Sequence, residues 1–110
     1  MLRLISSLII VIMLCGNVLA GQIVDVTLSG CSQAGEYMKC KCVLDNNTDI
    51  PISFVSINFR FKNSKGAVIG YDNTNMVDVG PNTFGVTDIY VDNVNVNEFK
   101  TYDWSIGRIQ

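Results

Sequence analysis

Apolar and polar residues alternate along most of this chain. The clearest run is 52–62 (ISFVSINFRFK), where Val55, Ile57, Phe59 and Phe61 alternate with Ser56, Asn58, Arg60 and Lys62. A strict period of two over eight residues marks a strand with one buried and one solvated face. Residues 22–28 (QIVDVTL) place Val24, Val26 and Leu28 on one face. Residues 37–44 (YMKCKCVL) group Cys40, Cys42 and Leu44 opposite Lys39 and Lys41. Ser32-Gln33-Ala34-Gly35-Glu36 reads as the hairpin loop between these two strands, and 45–51 (DNNTDIP) as a second loop. Asn63-Ser64-Lys65-Gly66 turns the chain into a short strand at 67–71, and 75–79 is another short apolar piece. After the turn Gly80-Pro81-Asn82, strands are expected at 84–92 and 99–109, with the polar segment 93–97 between them.

No segment carries a helical period long enough to compete. Six or seven short strands with turns every 8–12 residues predict an all-β fold, an antiparallel β-sandwich. No internal repeat or low-complexity stretch interrupts it.

The first twenty residues have a different pattern. They carry one Arg near the start, an apolar run over 8–14, and Val18-Leu19-Ala20 before Gly21. This is the layout of a secretory signal peptide cut after Ala20. Small residues at Val18 and Ala20 suit the peptidase, and the apolar run is shorter than the roughly 20 residues a bilayer span needs. The expected organisation is a signal peptide at 1–20 and one β-sandwich domain at 21–110. The destination is the periplasm or the medium. A lipid anchor at Cys15 is disfavoured, because the bulky Leu14 stands where lipoprotein processing wants a small residue.

Charge narrows the partners. The chain has a net charge of −2. Loss of Arg3 with the leader would take the expected domain to −3. Its Lys and Arg are scattered, so the basic face that phosphate-tracking requires is missing and nucleic acid is not an expected partner. Histidine is absent, which removes Ser–His–Asp and Cys–His chemistry and a leading metal ligand. An enzyme is not expected, nor a cofactor.

Three cysteines lie beyond the leader: Cys31, Cys40 and Cys42. Export favours a disulfide. A hairpin centred between Gly35 and Glu36 sets Cys31 opposite Cys40, the expected pair. A centre one residue later sets Cys31 near Cys42, the alternative. Cys40 to Cys42 within one extended strand strains the Cα separation a bridge allows. The remaining thiol reads as a buried core residue beside Leu44. A competing reading makes the three cysteines soft ligands for Cu(I) or Zn, or a thiol-active group, although three ligands without His leave a structural site incomplete.

Other candidates read as structural. Asp72, Asp78, Asp88, Asp92 and Asp103 lack the spacing of a calcium loop, so no metal is expected. Asn46-Asn47-Thr48 matches a glycosylation sequon, relevant only in a eukaryotic host. Trp104 reads as core before interface. Phe54 has the parity opposite to Val55, Ile57 and Phe59, which points it outward as a possible partner surface.

The stretch 42–90 also resembles the FxLYD domain, a small immunoglobulin-like sandwich of bacterial secreted and envelope proteins. Leu44-Asp45-Asn46-Asn47-Thr48-Asp49 stands for its first strand end and polar turn, and 55–59 for its Val-rich strand. Phe59-Arg60-Phe61-Lys62-Asn63 occupies the signature, followed by Gly66, then Gly80-Pro81-Asn82 and Phe84. Phe61, Lys62 and Asn63 replace the signature's Leu, Tyr and Asp, and the later Pro-Gly order is altered. The resemblance implies an immunoglobulin-like fold and an exported, non-enzymatic module, with no active site to carry over. The expected partner is another protein, met at a sheet face or an edge strand.

Overall fold

A computed structural model describes residues 24–110. The leader, its cleavage point, Cys15 and the start of the first expected strand lie outside the described residues. Six strands follow in order: β1 Val24–Ala34, β2 Tyr37–Asn46, β3 Ile52–Lys62, β4 Val68–Val79, β5 Thr83–Asp92 and β6 Thr101–Ile109. All pairings are antiparallel. They build two three-stranded sheets, β1-β2-β5 and β4-β3-β6, here called sheets A and B. The result is a β-sandwich.

The two central strands make the middle of the core. Met38, Cys40, Cys42 and Leu44 of β2 and Val55, Ile57, Phe59 and Phe61 of β3 are all buried. Their alternate neighbours face outward, as a period of two requires. Phe61 lies 5.9 Å from Phe59 and 5.7 Å from Phe99 by ring centroids, and Phe59 lies 6.4 Å from Tyr102. These are separations at which aromatic rings attract beyond simple burial.

The sandwich closes differently on its two sides. On one, β4 lies over β5, and Gly70 makes the approach possible. A Cβ there would stand 2.5 Å from Val94 Cγ2 and 3.2 Å from Val91 Cγ1. On the other, the Leu28 amide of β1 donates to the Tyr102 hydroxyl of β6 at 3.0 Å, joining the edges of the two sheets.

Several local expectations change. β1 runs on to Ala34, so the hairpin loop is only Gly35-Glu36, with Gly35 at φ 65°. The Gln33 side-chain amide donates to the carbonyls of Gly35 and Tyr37 at 3.0 Å each, which holds the chain paired up to the turn. The two short pieces expected at 67–71 and 75–79 form one strand, β4. The polar stretch Asp72-Asn73-Thr74 stays extended because it pairs with β3 residue by residue, with Asn73 outward and Asp72 and Thr74 half-buried on the inward side of an edge strand. The last strand begins at Thr101 rather than Phe99; Phe99 packs on the core from the preceding loop. That loop also buries Val94.

The sequon asparagine has a structural role. Asn46 is 1% exposed. Its Nδ2 donates to the carbonyls of Ile50 (2.9 Å) and Gly80 (3.0 Å), and its Oδ1 accepts from the Thr48 amide and hydroxyl. An amide enclosed in this way is closed to glycosylation in the folded protein.

Candidate binding face

The cysteines have a chemistry of their own. The register of β1 on β2 jumps between Ser29 and Ser32. Gly30 takes φ 60° at this bulge, a conformation most side chains resist. The extra residue brings Cys31 to Cys40, and the two form a disulfide with their Cα atoms 4.1 Å apart. Cys42 is free and buried. Burial chiefly, and secondarily the negative charge of Asp72, push its thiol up to about 11. A thiol so protected is a poor nucleophile and a poor ligand at neutral pH.

The three-sulfur ligand set considered from sequence is therefore not assembled. Two of its sulfurs are bonded to each other and the third faces the core. Among the described residues no group of three or more His, Cys, Asp or Glu side chains is placed to hold a metal ion.

Two other residues are placed as follows. Phe54 is half-buried on the outer face of sheet B, opposite Val77, with the Arg108 guanidinium 5.7 Å from its ring centre. Much of the ring is thus covered by its own sheet. Trp104 lies opposite Phe59 on β6, half-exposed, and packs against the core from an edge strand.

Among the described residues, the outer face of sheet A carries four exposed large apolar or aromatic side chains, Tyr37, Phe84, Val86 and Tyr90. β2 presents Tyr37, Lys39, Lys41 and Val43 there; β5 presents Tyr90, Asp88, Val86 and Phe84. The register pairs Lys39 with Tyr90, Lys41 with Asp88 and Val43 with Val86. Tyr37 is 46% exposed, Val86 50%, Tyr90 51% and Phe84 61%. The Tyr37 and Tyr90 rings meet edge to face at 6.4 Å. Lys39 Nζ sits 5.8 Å from the Tyr90 ring centre and 3.8 Å from Asp88 Oδ2. The face thus combines paired tyrosines, apolar Val43, Val86 and Phe84, and charges of both signs, with Asp45 opposite Phe84. Tyrosine suits such a position because its ring is apolar and its hydroxyl is not.

Sequence reasoning overlooked this face. The signal lay in β5, whose two parities are both apolar in part. Ile89 and Val91 point inward, whereas Phe84, Val86 and Tyr90 point outward.

Two aspartates depart from ordinary behaviour. Asp72 is pushed up by burial, against a backbone hydrogen bond from Asn73. Asp103 is held down chiefly by Lys62, then by Arg60. Lys62 Nζ and Arg60 Nη2 each stand 2.7 Å from Asp103 Oδ2.

No family model, no curated protein and no solved structure matches this chain.

Proposed function

We propose that this chain is an exported, non-enzymatic, immunoglobulin-like module that binds another protein through the outer face of sheet A. One observation carries the reading: Tyr37, Tyr90, Val86 and Phe84 stand exposed on adjacent strands of one flat face. Exposed apolar and tyrosine-rich patches of this kind lower their free energy by docking on a complementary surface. The disulfide and the leader-like first twenty residues support export.

The strand order supports the immunoglobulin-like assignment. β1-β2-β5 corresponds to strands A, B and E of that fold, and β4-β3-β6 to C′, C and F. The FxLYD resemblance fits the same picture. Phe59 and Phe61 of the signature are core residues. Asn63, where the pattern has Asp, accepts the Lys65 and Ala67 amides through Oδ1 at 2.9 and 3.0 Å, a role an Asp carboxylate serves equally.

Strand addition on β6 is the competing mode. It is disfavoured by the features guarding that edge: a register irregularity near Gly107, and the Lys62–Asp103–Arg60 charge cluster.

The test places a photo-crosslinking residue at Val86 on sheet A, or at Asn75 on sheet B, in the producing cell. A discrete adduct from Val86 alone, lost when Tyr90→Asp is added, is expected. Equal adducts from both positions, or one from Asn75 only, would overturn the reading.

A further inference from the structure

The outer face of sheet B is chemically unlike that of sheet A. The register sets Tyr71, Arg60 and Asp103 in one row across β4, β3 and β6, and Asn73, Asn58 and Ser105 in the next. These six side chains line an open groove of about 780 Å³, within the range of small-ligand sites. Its lining includes four planar hydrogen-bonding groups: two amides, a guanidinium and a carboxylate. One aromatic ring, Tyr71, stands 70% exposed at its side.

The polar groups are held in place before any ligand arrives. Asn73 Nδ2 donates to Asn58 Oδ1 at 2.6 Å and to the Ile57 carbonyl at 3.4 Å. Arg60 Nη2 donates to Asp103 Oδ2 at 2.7 Å. These bonds do not use Asn58 Nδ2, Asn73 Oδ1 or Asp103 Oδ1, which keep donor and acceptor capacity for a ligand. Arg60 and Lys62 both turn onto Asp103 Oδ2, so neither cation is free to take a phosphate or a polyanion without giving up that carboxylate.

We infer that this groove binds a neutral oligosaccharide. A sugar ring presents hydroxyls that each donate and accept, which fixed amides and carboxylates side by side can answer in pairs. It also presents a C–H face, which packs against an exposed aromatic ring and releases water from both. An apolar peptide would cover the amide and carboxylate atoms not used in these bonds without answering them, at a cost for each. The site is independent of the sheet A face, since the two lie on opposite outsides of the sandwich.

The experiment titrates the ¹⁵N-labelled protein with hexaoses of glucose, xylose, mannose and N-acetylglucosamine, and with hexagalacturonate as a charged control. At least one neutral hexaose is expected to shift the Asn58 and Asn73 side-chain amide signals. Tyr71→Ala should weaken its binding about tenfold, a loss of about 1.4 kcal/mol, with an unchanged thermal midpoint, and Tyr90→Asp should leave binding intact. The inference is overturned if no neutral hexaose moves those signals at millimolar concentration. It is equally overturned if the shifts fall on sheet A, if only hexagalacturonate binds, or if Tyr71→Ala binds as the parent does.

Discussion

Asn46 at the end of β2 donates a 3.0 Å hydrogen bond to the carbonyl of Gly80, the residue that leaves β4. The bond fastens one sheet to the turn that crosses from the other. The same end is tied again by Asn82, whose amide donates to the Thr48 carbonyl and whose Nδ2 donates to Asp49 Oδ1. Asn46→Ala leaves the Gly80 and Ile50 carbonyls without this donor, and unmet buried polar groups are costly. A loss of about 2–3 kcal/mol is expected, read from the shift in the urea midpoint at constant slope.

The Cys31–Cys40 bridge closes a loop with a sequence separation of 9. Loop-closure entropy assigns such a bridge about 2–3 kcal/mol. The double variant Cys31→Ser, Cys40→Ser should lose that amount in denaturant. Adding a reductant to the parent should lower its stability similarly, with no further effect on the double variant.

Cys42 should resist an aromatic disulfide reagent in the native protein and react at once in denaturant. Its linkage to folding has a definite sign. The thiol titrates near 9.0 when unfolded and is pushed to about 11 when folded. Between those values the unfolded chain has released its proton and the native one has not, so stability falls as pH rises. Cys42→Ala should flatten the descent between pH 9 and 11, measured as the difference between parent and variant.

Two aspartates should respond in opposite directions. Asp72 is raised by burial, so its ionisation opposes folding as pH rises through and above the ordinary carboxylate range. Asp72→Asn should therefore stabilise the protein at pH 7. Asp103 is lowered by its cationic neighbours, so it favours folding above the ordinary carboxylate range, and this is lost as pH falls through its depressed value. Asp103→Asn should destabilise at pH 7, by no more than about 1 kcal/mol because the pairs are exposed. Chemical denaturation at pH 7 checks both.

Much of the fold was legible because period-two patterning is imposed by the pleat itself. β3 was bounded to the residue at Ile52 and Lys62, since its core face is wholly apolar and its outer face wholly polar from Ser56 onward. β4 was split because an edge strand need not alternate cleanly, and Asp72-Asn73-Thr74 reads locally as a loop. The length of β1 was missed because the Gly30 bulge and the Gln33 side-chain bonds depend on the partner strand. Asn46 read as a surface sequon because the sequence does not show that Ile50 and Gly80 converge on it. The exposed face of sheet A stayed hidden for a related reason. Val86 and Phe84 look like core until Ile89 and Val91 are seen to take the inward places.

Affinity of the purified partner captured at Val86 tests the central claim most directly, compared across three forms of the full chain. Binding should fall at least about tenfold for Tyr90→Asp and remain at the parent level for Phe54→Asp, whose ring lies on the opposite face beneath Arg108. Unchanged binding by Tyr90→Asp, or its loss in Phe54→Asp, would contradict a binding face on sheet A.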